Sequence, residues 1–227
     1  MNIIAVIPAR GGSKGIPLKN LKEIEGKPLV AHTIEHAQQS EVINRIIINT
    51  DHDGIATAAA KYGAEVLMRP AIMGSDSSEV DPLLIWTVNE IEKTEAVDIV
   101  VLLYPTAPLR NVASISKAIN MVVNEGYDSV LSLYRDSTYL WKTHGDTAEP
   151  TNYIPAERAP RQLEGWNQWA ENKALYVMKR DLLVNTGCRL GGKIGYVEMS
   201  INESIDIDEP DDLELCRAIM HQKSLKT

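Results

Sequence analysis

Runs of consecutive apolar residues alternate along the chain with segments whose apolar positions recur every three or four residues. Ile3–Ile7 (IIAVI), Arg45–Asn49 (RIIIN), Glu65–Met68, Ile99–Leu103 (IVVLL) and Ser129–Tyr134 have strand length and β-branched character, whereas Leu29–Gln39, Asp53–Tyr62, Val80–Lys93 and Ile115–Asn124 carry the helical spacing. Strands that are apolar throughout are buried on both faces. The alternation therefore predicts an α/β fold, a mostly parallel sheet with helices on both faces in the Rossmann-like manner. Further on, Ala174–Met178, Lys193–Met199 and Ser204–Asp208 read as strands. A last helix is expected from about Pro210 to Met220, because Pro210 followed by Asp211, Asp212 and Glu214 suits a first helical turn.

Residues 135–168 break the alternation, with Tyr139, Trp141, Tyr153 and Trp166 set among prolines and charges. An irregular stretch of that length inside a compact domain is usually functional or covered, and its aromatics favour a protein interface. A length of 227 residues suits one core, so the chain is expected to form a single domain, 1–227, carrying 135–168 as an insertion.

In open sheets of this kind ligands sit outside the carboxyl ends of the strands. The first such position holds Pro8-Ala9-Arg10-Gly11-Gly12-Ser13-Lys14-Gly15-Ile16-Pro17-Leu18-Lys19-Asn20. Its glycines let the backbone turn sharply and bring N–H groups near a phosphate, while Arg10, Lys14 and Lys19 add positive charge, so a triphosphate is the expected guest. It is neither a P-loop nor the dinucleotide fingerprint. Near the other end Asp206 and Asp208 are one residue apart on an expected strand. That spacing puts both carboxylates on one face, with Ile205 and Ile207 turned to the core. Two hard carboxylate oxygens completed by phosphate oxygens and water suit Mg²⁺ or Mn²⁺.

Charge narrows the guests. A formal net charge of -8 excludes a general nucleic-acid binder, which needs a basic surface, so an anion must meet the local cluster of Arg10, Lys14, Lys19, Lys22 and Lys27. Within it Lys22 and Lys27 are expected to face solvent. Cys188 and Cys216 match no metal spacing and fit reduced thiols in a cytoplasmic protein. No stretch approaches the roughly 20 apolar residues of a membrane span, so no membrane partner is expected. His52, beside Asp51, is assigned no role.

At full length ARGGSKGIPLKN after a first strand resembles the acylneuraminate cytidylyltransferases, the CMP-sialic acid synthetases and their close relatives. The resemblance continues at Thr50-Asp51, Arg69-Pro70 with Ser75–Ser78, Pro105-Thr106-Ala107-Pro108-Leu109-Arg110, Asn172-Lys173-Ala174-Leu175-Tyr176 and Ser204–Asp208, and so covers nearly the whole chain. It implies transfer of CMP from CTP to the anomeric hydroxyl of an acidic nine-carbon sugar, with pyrophosphate released. Nucleotide binding is implied for Ala9, Arg10, Gly11, Gly12, Ser13, Lys14, Lys19, Asn20, Arg69 and Ser78, with Arg10, Lys14 and Lys19 on phosphates and Asn20, Arg69 and Ser78 about the cytidine. Sugar binding is implied for Tyr104, Arg161, Asn172 and Tyr176 and for Lys142, contributed in trans by a homodimer formed through residues 135–168. Asp206 and Asp208 are the implied metal ligands, and with Arg10, Lys14 and Lys19 the catalytic set.

Two departures bear on the substrate. Tyr104 stands where sialic acid enzymes usually have Gln, and Lys173 interrupts the usual Asn-Gly-Ala. The competing readings are a synthetase for another CMP-ulosonic acid, of the legionaminic, Kdn, pseudaminic or Kdo type, and a nucleotide-binding module without turnover.

Overall fold

A computed structural model describes residues 1–74, 79–158 and 167–225. The strands are β1 (Ile3–Pro8), the short pair β2 (Glu23–Ile24) and β3 (Lys27–Pro28), β4 (Arg45–Thr50), β5 (Glu65–Met68), β6 (Ile99–Leu103), β7 (Ser129–Arg135), β8 (Trp141–His144), β9 (Thr147–Pro150), β10 (Trp169–Lys179) and β11 (Ile194–Glu198). The helices are α1 (Leu29–Gln39), α2 (Asp53–Lys61), α3 (Val80–Ile91), α4 (Val112–Asn124), α5 (Arg180–Thr186) and α6 (Pro210–Ser224).

The main sheet runs in the order β11-β7-β10-β6-β1-β4-β5. Every pairing in it is parallel except those of β10, which lies antiparallel between β6 and β7. Successive side chains of a strand face opposite ways, and β1 divides accordingly. Ile3, Ala5 and Ile7 join one core with residues of α1, α2 and α4, while Ile4 and Val6 join a second with residues of α3 and α5. A third cluster sets Ile16, Ile24 and Leu29 against Ile207, Leu213 and Cys216, which clamps the loop after β1 onto α6.

Three expectations change. Ser204–Asp208 is not a strand: Asn202–Ser204 form a short 3-10 turn, and residues 205–208 belong to no regular element, held by the Ile207 N–H donating to the Thr106 carbonyl at 2.8 Å. The alternation of apolar and acidic residues there reflects burial of Ile207 on α6, not a sheet face. The last helix extends beyond Met220 to Ser224, and its start is a capping box in which Asp212 accepts from the Glu209 N–H. The described part of residues 135–168 holds β8 and β9, which form a separate hairpin between β7 and β10.

The hairpin's base is aromatic: the Tyr139 and Tyr153 rings lie 4.5 Å apart, and Trp141 sits 6.0 Å from Tyr153. Its strands are exposed except at Pro150.

The strand beside the hairpin carries the irregularity that matters most. Between Glu171, opposite Leu133, and Tyr176, opposite Leu131, β10 spends three more residues than β7. Asn172 pins this bulge: its Oδ1 accepts from Ser132 Oγ at 2.5 Å and from the Ala174 N–H at 3.1 Å, and its Nδ2 donates to Ser204 Oγ at 2.9 Å. Lys173, next in line, adopts φ 57°, the left-handed region. A residue with a Cβ pays roughly 1–2 kcal/mol to stay there.

Candidate active site

A cavity of about 800 Å³ opens at the carboxyl ends of β1, β5 and β6. Arg10, Ser13, Lys14, Gly15, Lys19 and Asn20 line one wall, Arg69 and the start of α3 another, and Tyr104-Pro105-Thr106 after β6 the floor. Lys173 from the β10 bulge, Arg189, Asp206, Asp208 and Glu209 close the remaining side. The position agrees with the rule for open α/β sheets.

One N–H of the loop after β1 is taken by an acid. The Gly11 N–H donates to Asp51 Oδ1 at 2.8 Å, and Asp51 also faces the buried Arg69 at 3.6 Å. Gly11 is needed because a Cβ there would meet the His52 ring, whose Nδ1 caps α2 by accepting from the Gly54 and Ile55 N–H groups. His52 thus has a structural role that its sequence position does not reveal. Gly15 is needed for a different reason: a Cβ there would overlap the Asp208 carbonyl. Gly12 faces open space.

That close approach carries Lys19 to the acidic segment. Its Nζ donates to the Ile207 carbonyl and, at 2.9 Å, to Asp208 Oδ1. The lysine side chain is 10% exposed and the aspartate 63%, so a desolvated ammonium meets a carboxylate still open to the cavity. Asp206 is 22% exposed and lies 3.4 Å from Lys173 Nζ. Each of the two carboxylates therefore faces its own lysine.

As a cation site the pair is partial. Asp206 and Asp208 offer hard oxygens at the cavity edge, and among the described residues no group of three or more His, Cys, Asp or Glu side chains is gathered for a metal. The donor set fits a divalent ion whose other positions are filled by phosphate oxygens and water.

Behind the floor lies a buried arginine. Arg110 donates from Nε to the Ala174 carbonyl at 2.7 Å and from Nη2 to the Tyr104 carbonyl at 2.6 Å, tying the loop after β6 to the bulge. Burial pushes its pKa down to about 9. Tyr104 is driven up to about 12, again chiefly by burial, and its hydroxyl remains a donor at neutral pH. Arg189 completes this side, 2.8 Å from Asp81 on α3 and 4.8 Å from the Tyr176 ring.

Of the residues expected to act, the cavity gathers Arg10, Ser13, Lys14, Lys19, Asn20, Arg69, Tyr104, Asp206 and Asp208. Ala9 is buried, and neither Gly11 nor Gly12 lines the cavity. Asn172 is spent on the bulge, and Tyr176 lies buried behind the wall with its hydroxyl donating to Glu171, so neither lines the cavity. Lys142 stands out on the β8–β9 hairpin. Ser78 and Arg161 lie outside the described residues. Lys22 is exposed as expected, whereas Lys27 is half-buried and paired with Glu35 at 2.7 Å. Lys173, Arg189 and Asp81 also line the cavity and are not among the residues expected there. A lysine in a usual Asn-Gly-Ala was the one available signal, and Arg189 with Asp81 is assembled by tertiary packing alone.

A mostly parallel sheet whose strand ends converge on a charged loop and an acidic pair is the architecture of nucleotidyltransferases. The chain belongs to the cytidylyltransferase family, whose model matches residues 4–217. The N-acylneuraminate cytidylyltransferase A of Danio rerio is 38% identical over 213 residues, 91% of this chain and 48% of that protein. The CMP-N,N'-diacetyllegionaminic acid synthase of Legionella pneumophila is 34% identical over 238 aligned positions, 97% of each chain. This chain thus spans about half the length of the first relative and nearly all of the second. A solved CMP:2-keto-3-deoxy-manno-octonic acid synthetase complexed with CTP shares the fold, with a TM-score of 0.72, 22% identity and coverage of 98% of this chain and 100% of that one. No helix among the described residues is long and apolar enough to cross a membrane.

Proposed function

We propose that the protein transfers CMP from CTP to the anomeric 2-hydroxyl of a sialic-acid-like nonulosonic acid. The observation that carries the reading is the meeting, in one cavity, of a basic Gly-rich loop and the Asp206–Asp208 pair. Arg10, Lys14 and Lys19 bind the phosphates. The cytosine end falls to Asn20 and Arg69, whose buried Oδ1 and Nε lack hydrogen-bond partners among the described residues. Such atoms cost about 1–3 kcal/mol each when left unpaired, and an amino group and a ring acceptor of a base match them.

The sugar hydroxyl attacks the α-phosphorus, the new O–P bond forms as the bond to the β-phosphate oxygen breaks, the hydroxyl proton passes to water, and pyrophosphate leaves with the bridging oxygen. Positioning and neutralisation of charge do most of the work. A divalent cation held by Asp206 and Asp208 supplies charge neutralisation at the phosphates when bound. Among the described residues no histidine lines the cavity to serve as a base.

On the sugar side Tyr104 supports a substrate other than ordinary N-acetylneuraminate, since a phenol cannot make both hydrogen bonds of an amide. The near-full-length relative named for diacetyllegionaminic acid supports a 5,7-diamino sugar as the second reading. Pyrophosphate release from CTP and Mg²⁺ with a panel of ulosonic acids tests both. Release with nonulosonic acids, and a kcat/KM for N-acetylneuraminate below the best of the panel, is expected. Silence across the panel contradicts transfer; N-acetylneuraminate at the top contradicts the role of Tyr104.

We further read the protein as a cytoplasmic homodimer joined through residues 135–168. Lys142 lies on an exposed hairpin and does not line its own chain's cavity, which supports a contribution in trans to the sugar carboxylate. Mixed dimers of Lys142→Ala with Asp208→Asn should regain up to about a quarter of wild-type activity if subunits pair at random. No recovery, despite subunit exchange and a defect in each variant, places Lys142 elsewhere.

A further inference from the structure

Two features of Lys173 have no use in the fold. Its backbone sits at φ 57°, where a residue without a Cβ is unstrained, and its side chain, although 60% exposed, reaches Asp206 at 3.4 Å. The bulge itself is held by Asn172 and Ser132, which bond the backbone of Ala174 and Leu175 without help from the Lys173 side chain. The lysine lines the cavity on the side where Asp206, Asp208 and Glu209 meet it. Lys19, by contrast, is buried against Asp208 and donates to a backbone carbonyl as well, so it is fixed.

We propose that Lys173 is a resident counter-cation for Asp206, which a divalent metal ion must displace to occupy the Asp206–Asp208 pair. The inference rests on the reading that these carboxylates hold the metal. Its physical basis is a long, exposed ion pair, weak enough to be broken, that nevertheless places one positive charge where a dication would sit. The displaced ammonium remains in the cavity, available to a phosphate or carboxylate of the bound substrates. Lys173 is accordingly a positioning residue: it acts through Asp206 and sets how tightly the empty site takes a metal.

Mn²⁺ binding to the nucleotide-free protein, followed by the electron paramagnetic resonance of free Mn²⁺, tests this without turnover. Lys173→Asn removes the charge with a side chain that tolerates the left-handed backbone, and Lys173→Arg keeps the charge. Lys173→Asn should bind Mn²⁺ about three- to tenfold more tightly than wild type, with the gap narrowing as salt is raised. Lys173→Arg should bind as wild type or more weakly. A merely structural lysine would not produce this order, because both variants change the same backbone position.

Asp206→Asn separates the two levels of the claim. If it weakens Mn²⁺ binding while Lys173→Asn leaves affinity unchanged or lower, the counter-cation is wrong and the metal site stands. If wild type and Asp206→Asn bind alike, or wild type binds no Mn²⁺, the metal reading fails and this inference with it.

Discussion

The loop after β1 and the bulge of β10 face each other across one cavity and are built by opposite means. The loop is a continuous stretch of sequence following a parallel strand, and the residues it sends to the cavity are neighbours in the chain. The bulge lies in the one antiparallel strand of the main sheet, and what it presents depends on Ser132, Arg110, Ser204 and Asp206, all distant in sequence. Backbone economy differs as well. The loop uses Gly11 and Gly15 where a Cβ would collide, whereas the bulge keeps a lysine in a conformation suited to glycine. Close packing governs the first region and charge placement the second.

The sharpest way to break that contrast is at the point where the two regions meet. Asp208→Asn should lower kcat by about a hundred- to a thousandfold, the scale seen when a group stabilising transition-state charge is removed. Asp206→Asn should act in the same direction, and far-ultraviolet circular dichroism should show both folded. Wild-type kcat at limiting Mg²⁺ in either variant would remove the acidic pair from the mechanism.

Arg110 probes the bulge side. Arg110→Met leaves the Ala174 carbonyl without its Nε donor and the Tyr104 carbonyl with only the long bond from the Ala107 N–H at 3.4 Å, and a buried acceptor left unpaired costs about 1–3 kcal/mol. Relief of the burial that pushes this guanidinium down to about 9 offsets part of the loss. A net destabilisation of about 2 kcal/mol is expected in urea unfolding, together with a raised KM for the sugar and little change in KM for CTP. Equal changes in the two KM values would show that the ends of the cavity are not separately built.

Gly15→Ala probes the loop side. The added methyl overlaps backbone that α6 holds in place, so the loop must shift at a cost of about 1–3 kcal/mol. A drop of about tenfold in kcat/KM for CTP is expected, and Gly12→Ala, which meets nothing, should cost far less.

The smallest effect concerns acid stability. Burial, with the Arg110 charge beside it, lowers His36 from 6.5 to about 3. Because the folded pKa lies below the unfolded one, the unfolded chain takes the proton first. The stability this contributes is complete above pH 6.5 and is lost as pH falls toward 3, at up to about 1.4 kcal/mol per pH unit. His36→Gln should flatten the dependence of the urea midpoint on pH within that window. An unchanged slope would mean that His36 takes its proton as readily folded as unfolded.

What the sequence shows follows the same division. Strand and helix order, both faces of the sheet and the Gly-rich loop were legible because each rests on local periodicity or a contiguous motif. The spacing that singles out Asp206 and Asp208 is not that of a strand: the segment pairs with no strand, and burial of Ile207 imitates strand alternation. Asn172 and Tyr176, expected at the sugar, are buried in the fold, where the Ala174 N–H donates to Asn172 Oδ1 and the Tyr176 hydroxyl donates to Glu171. Arg189 and Asp81 meet from 108 residues apart, and no local pattern announces such a pair.

The central claim is that one cavity joins a cytidine nucleotide to an acidic sugar, and labelled substrate tests it most directly. With CTP radiolabelled at the α-phosphorus, a nonulosonic acid and Mg²⁺, the account predicts that label passes into a CMP-sugar, that an equal amount of pyrophosphate appears, and that Asp208→Asn does neither. Label that stays in CTP while the nucleotide is bound, or that appears as free CMP with no sugar attached, would contradict it.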